Sequence, residues 1–201
     1  MDVVTLSGME NKEIVQTNRR AIANTTMTAL FAALTAAGAF ISIPLPFSPV
    51  PVALQNLFAL LAGLILGPFR GGAAVALFLI AGALGAPVFA GAVGGFAHFF
   101  GPTGGFLLGY LLAALTAGLI AGRPRGNRRS SRPRLILAVL AGLLAVYVPG
   151  LLWLKIVLDT DALTALAIGF VPFVFGDILK GIAAVLIAPR LRRAAAEQAD
   201  G

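Results

Sequence analysis

Six apolar stretches follow one another along this chain, several of them about as long as a bilayer-crossing helix. A helix needs about 20 largely apolar residues to cross the hydrocarbon core. Lipid offers backbone N–H and C=O groups no partner, so segments of this kind must satisfy themselves internally as helix. A membrane β-barrel would alternate polar and apolar residues over about 10 positions, whereas these stretches are apolar on every side. Only 11% of the residues are charged, against about 25% in a soluble domain. The expected fold is therefore all-α, a polytopic membrane protein with six transmembrane helices at about residues 21–43, 52–66, 71–84, 103–121, 134–158 and 162–188. Residues 1–20 are expected as a polar tail or short surface helix, too polar for a signal peptide. Residues 21–190 form the membrane domain and 191–201 a second tail.

The connections carry the topology. Pro44, Pro46, Pro49 and Pro51 mark the first and Gly67-Pro68 the second; residues 85–105 form a long, apolar, glycine-rich third, and an arginine-rich run at 123–134 the fourth. With six spans, every Lys and Arg except Lys155 and Lys180 falls on one side of the membrane. The positive-inside rule makes that side cytoplasmic, with both termini on it and the glycine-rich loop outside. Five or seven spans would scatter the arginines. The net charge of +7 thus reflects orientation in a bilayer and not an affinity for nucleic acid.

Two charges break the last apolar stretch: Asp177 and Lys180. At i and i+3 they share one side of a helix, and each costs roughly 2.5–3.5 kcal/mol at the centre of a membrane helix. A self-neutralising structural pair is one explanation; a polar ligand held within the bilayer is the other. Pro172 lies upstream, where it disturbs the helix ladder, and Gly176 and Gly181 leave room beside the pair. The glycine-rich loop has almost no polar side chains. It is expected either to fold back over the membrane domain as a lid or to lie as a re-entrant or interfacial loop. Ala29, Ala33 and Ala37 form a ladder of small residues four apart, a pattern that lets helices touch backbone to backbone. It serves packing within the chain or docking of a partner. His98 is the only histidine and most simply structural; Lys155 is expected to reach outward toward Asp159 and Asp161. Tyr147 stands out among the aromatics because Pro149-Gly150 can open space beside it. No cysteine, GxxxxGK[ST], HExxH or GxSxG is present, so neither P-loop ATP binding nor a familiar hydrolytic or metal chemistry is encoded. No catalytic residue, metal site or cofactor is expected, and the chain does not read as an enzyme.

Taken in order, ISIPLPFSPVPVALQ, LLAGLILGPFRGG, GAPVFAGAVGGFAHFFGPTGGFLLGYLLAA, VYVPGLLWLKI and FVPFVFGDILKGIAAVLIAPRL resemble the BioY family, the biotin-specific S components of energy-coupling-factor (ECF) vitamin transporters. The likeness covers about residues 21–193. It implies a six-helix, high-affinity biotin-binding subunit in the plasma membrane of a prokaryote. It also implies a transmembrane coupling subunit and two ATPase subunits as partners, which fits the missing P-loop. An S component of this kind topples in the membrane to deliver its vitamin, with Ala29, Ala33 and Ala37 as the docking face. The family's polar pair falls on Asp177 and Lys180. Gln55 stands in LQN where the family usually has LQT, placing Asn56 at the threonine, and Phe106 stands where tyrosine is common. The glycine-rich loop, with Phe89, Gly91, Gly94, Gly95, Phe96, Thr103 and Gly104, and Tyr147 complete the expected biotin contacts.

The chemistry of the pair supports such a ligand. Biotin's ureido ring carries two N–H donors and one carbonyl acceptor; a carboxylate accepts from N–H and an ammonium donates to C=O. Charge-assisted hydrogen bonds in a dry site are strong. The tail carboxylate then meets backbone amides or Gln55, Asn56 or Thr103. A reversed pose, with Lys180 on the tail, is also compatible with the residues, as is a non-transporting structural or assembly protein whose ion pair only orders the bundle.

Overall fold

The computed structural model describes residues 3–123 and 131–200. The chain is mostly helical: α1 (Val3–Phe40), α2 (Gln55–Leu66), α3 (Pro68–Ala83), α4 (Gly104–Ala121), α5 (Arg132–Val157), α6 (Ala162–Gly169) and α7 (Val174–Asp200). Two short strands, β1 (Ser42–Leu45) and β2 (Ser48–Ala53), lie between α1 and α2. Most of the arginine-rich run at 123–134 lies outside the described residues.

Residues 14–40 of α1, together with α4 and α5, are long and apolar enough to cross a membrane, and α6 and α7 pass the same test as a pair bent by 56°. Helices α2 and α3 have 12 and 16 residues, about 18 and 24 Å at 1.5 Å per residue, short of the ~30 Å hydrocarbon core. Polar residues near the N-terminus continue α1 from Val3 instead of forming a separate element, and α7 runs on through residues 191–200.

Two expectations are corrected. The proline-marked connection is an antiparallel hairpin, pairing Ser42 with Ala53, Ile43 with Val52 and Leu45 with Ser48. Proline is tolerated because a two-stranded ribbon has only edges, and the register shifts between Ile43 and Leu45, at Pro44, which has no N–H to give the ladder. The last apolar stretch is not one helix. It breaks over residues 170–173, and Pro172 lies inside the break, where its ring and missing N–H oppose a continuous ladder.

Helix α2 is the centre of the bundle, packed against α1, α3, α4 and α7, and its residues Ala59–Leu66 are all buried. Between α2 and α3 the chain turns sharply: Gly67 adopts φ +82 and Pro68 opens the next helix, combining a conformation only glycine takes freely with a residue preset for a helix start. Helices α4 and α5 form the closest antiparallel pair, with the small residues Ala113, Ala114 and Ala117 buried on α4. Leu108 and Leu112 of α4, Leu140 and Leu144 of α5 and Leu179 and Leu186 of α7 point outward, as lipid-facing positions require.

Candidate functional site

Asp177 sits in the first turn of α7, directly after the break. A carboxylate is favoured there because the first peptide N–H groups of a helix leave a partial positive charge. Asp177 is only 5% exposed, and its burial is matched by partners from three directions. Tyr147 of α5 donates its hydroxyl to Oδ2, while Oδ1 accepts from Asn56 Nδ2 of α2 at 2.8 Å and from Lys180 Nζ at 3.0 Å. Lys180, one turn on, also donates to Ala53 O at 2.8 Å and Asn56 Oδ1 at 2.9 Å. All three ammonium protons are thereby used, and the acid, base, amide and phenol form one closed network.

A cavity of about 30 Å³ lies against this network, walled by Val50 and Pro51 of β2, Phe106 and Tyr110 of α4, Tyr147, Phe173, Asp177 and Lys180. A second, of about 20 Å³, lies beside it and shares the Val50, Pro51, Ala53, Phe106 and Tyr110 wall; Gln55, Phe89, His98 and Thr103 complete it. The two adjoin across this shared wall, the inner one polar at Asp177 and Lys180 and the outer one polar at Gln55, His98 and Thr103. Both are far smaller than the ~300 Å³ at which drug-sized pockets begin, so the hairpin or loop must shift to admit such a molecule.

The loop is pinned as one wall of the outer cavity. Gln55 donates to Val88 O at 3.0 Å, Trp153 to Gly101 O at 3.0 Å, and Gly95 N to Gly82 O at 2.7 Å. Phe89 is fully buried, edge-on to Phe78 with centroids 5.5 Å apart and stacked on His98 at 5.2 Å. Ser48 Oγ of the hairpin donates to Ile168 O of α6 at 2.7 Å, so the hairpin leans on the helix that precedes the break.

Of the residues singled out in the sequence, Asp177, Lys180, Asn56 and Tyr147 come together at the inner cavity, and Gln55, Phe89 and Thr103 at the outer. Gly104 is buried beneath the loop; Gly91, Gly94, Gly95 and Phe96 line neither cavity. Asn56 belongs to the acid–base pair, although the sequence offered it equally for a ligand's tail. Phe106, Tyr110 and Phe173, together with Val50 and Pro51 of β2, were missed. Phe106 and Tyr110 stand four apart on α4, a one-face spacing that the continuous apolarity of the segment hides. Ala29, Ala33 and Ala37 are exposed along α1. Lys155 is exposed and near enough to Asp161 to favour its charged form, and Asp161 caps α6 by accepting from Thr164 N at 2.8 Å.

The family model of the BioY family matches residues 9–197. A probable biotin transporter BioY from Pyrococcus horikoshii is 42% identical over 83% of this chain and 94% of its own. The biotin transporter BioY of Thermotoga maritima is 40% identical over 84% of this chain and 95% of its own. The crystal structure of an S-component for biotin from an ECF-type ABC transporter superposes with a TM-score of 0.79 at 32% identity, covering 88% of this chain and 94% of that one.

Proposed function

The chain belongs to the BioY family, and we propose that it is the biotin-capturing S component of an ECF-type uptake transporter. The observation that carries the reading is the buried Asp177–Lys180–Asn56–Tyr147 network at the inner end of the two adjoining cavities. Its groups are the hydrogen-bond complement of a cyclic urea. Asp177 accepts from a ring N–H, Lys180 donates to the ring carbonyl, and Asn56 and Tyr147 adjust to whichever bonds the ligand replaces. Because the network closes on itself, a ligand exchanges bonds with it and leaves neither charge unpaired. The bicyclic body then lies against Phe106, Tyr110 and Val50, and the valeryl arm points to Gln55, Thr103 and the glycine-rich loop. Gly91, Gly94, Gly95 and Phe96 contribute as the covering loop and need no direct contact.

The same reading has the chain cross a prokaryotic plasma membrane six times with both ends cytoplasmic. Helices α2 and α3 are short crossings, and α6 with α7 is one broken crossing. Arg70, Arg123 and Arg134 lie in the connections, and Arg190 and Arg193 at the C-terminal end, that this topology assigns to the cytoplasm. A break that sets a half-helix N-terminus at a ligand site is a recurring transporter device. A transmembrane coupling subunit and two ATPase subunits supply the energy, and Ala29, Ala33 and Ala37 form the face on which α1 meets them.

A second reading, a bundle-ordering ion pair without a ligand, draws on the completeness of the network's own bonds. Thermal unfolding of the detergent-solubilised protein with and without biotin separates the two. A ligand at 100 times its Kd stabilises by about 2.7 kcal/mol, so the capture reading expects a clear upward shift in Tm. An unchanged Tm at millimolar biotin would overturn it in favour of the structural one.

A further inference from the structure

We propose that His98 receives the anionic tail of the ligand, so that capture strengthens as the outside becomes acidic; the inference rests on the biotin reading above. His98 lines the outer cavity together with Gln55 and Thr103, whereas Asp177 lines the inner one. A ligand with a urea head in the inner cavity and a short apolar arm along Phe106 and Tyr110 brings its carboxylate to the outer cavity. The ring is held in place on both sides. Its face stacks on the fully buried Phe89, and Nε2 lies 3.0 Å from Thr103 Oγ1.

Apart from the Tyr110 phenol, His98 is the only titratable side chain that lines the outer cavity among the described residues. Residues 85–103 contain no other ionisable side chain. From the elements packed against the cavity, α2 presents Gln55, β2 presents Val50 and Pro51, α4 presents Phe106 and Tyr110, and Thr103 precedes α4. Asp177 and Lys180 neutralise one another at the inner cavity. Partial burial holds the imidazole below its ordinary pKa of 6.5, so at neutral pH the free protein carries it uncharged. A carboxylate beside it favours the imidazolium and raises that pKa in the complex. The complex therefore binds more protons than the free protein, and affinity rises as pH falls from above the complexed pKa to below the free one. The window closes where the ligand's own carboxyl protonates, near the ~4.3 of a glutamate side chain.

Titration calorimetry of the purified full chain tests this with biotin and with biotinamide, whose tail is neutral, at pH 5.5 to 8 in buffers of differing ionisation enthalpy. Each unit by which the tail raises the His98 pKa is worth about tenfold in affinity. Biotin should bind the wild type roughly tenfold more tightly at the acidic end, with proton uptake, and biotinamide should show no such gain. His98→Gln should flatten the biotin profile. The amide comparison uses wild-type protein and decides the matter even if the variant fails to fold. A flat biotin profile, or one that biotinamide reproduces, overturns the role of His98 and leaves biotin capture standing. Failure to bind either compound at any pH overturns both.

Discussion

Removing one member of the Asp177–Lys180 pair leaves the other as an uncompensated charge in a dry site, which costs about 3–5 kcal/mol. Asp177→Asn and Lys180→Ala should therefore each lower Tm and also weaken biotin binding by at least tenfold. The two effects come apart in the double variant Asp177→Leu/Lys180→Met. Replacing a whole buried pair with apolar residues of similar volume is often neutral or stabilising, so Tm should recover while calorimetry finds no biotin binding. Recovery of binding along with stability would remove the pair from the site. Tyr147 makes a narrower test. Its hydroxyl donates to Asp177 Oδ2, and hydrogen bonds to charged groups contribute about 1.5–3 kcal/mol. Tyr147→Phe should raise the Kd for biotin about tenfold or more by that measure, with the aromatic packing on Phe106 and Phe170 retained.

At the level of elements, the charged pair could be read from sequence because any ionisable group stands out against 59% hydrophobic residues. Tyr147 could be read because Pro149-Gly150 follows it. The helix break could not. Residues 162–188 are apolar almost throughout, so composition carries no mark of where one helix ends, and Pro172 reads equally as a kink or a stop. The hairpin was hidden for the opposite reason: Pro44, Pro49 and Pro51 argue against strands in any wider sheet and are harmless only in a ribbon of two. The glycine-rich loop was recognised as apolar cover, but its anchor was not, since Phe89 looks like the loop's three other phenylalanines until its ring is placed over Gly82. A Cβ at Gly82 would stand 2.2 Å from Phe89 Cζ. Gly82→Ala should therefore expel that ring at an overpacking cost of about 1–3 kcal/mol, detaching Phe89 from Phe78 and His98. Hydrogen exchange at residues 86–95 should rise and biotin affinity fall about tenfold or more, by the same energy, while circular dichroism stays unchanged. Unaltered exchange in the variant would show that Phe89 does not hold the loop.

Across the whole molecule, α1 divides into two faces whose roles differ. Phe31, Thr35 and Ala39 turn inward and are buried, whereas Ala29, Ala33 and Ala37 are exposed. An outward face toward lipid alone has no need of small side chains, and many outward positions of α5 and α7 carry large ones such as Leu140, Leu144, Leu179 and Leu186. A strip of alanines at spacing four suits the close approach of another helix, because small residues let two backbones come within van der Waals reach. If that helix belongs to the coupling subunit, Ala33→Trp should hold the two backbones apart without touching the proposed biotin site among β2, α2, α4, α5 and α7. The purified variant should then bind biotin with wild-type affinity and unfold at the wild-type Tm. Cells expressing it with the coupling and ATPase subunits should lose radiolabelled biotin uptake, and the partner subunits should no longer co-purify. Wild-type uptake by Ala33→Trp would assign the docking face elsewhere, and weakened biotin binding in the isolated variant would show that the strip supports the site instead of a partner.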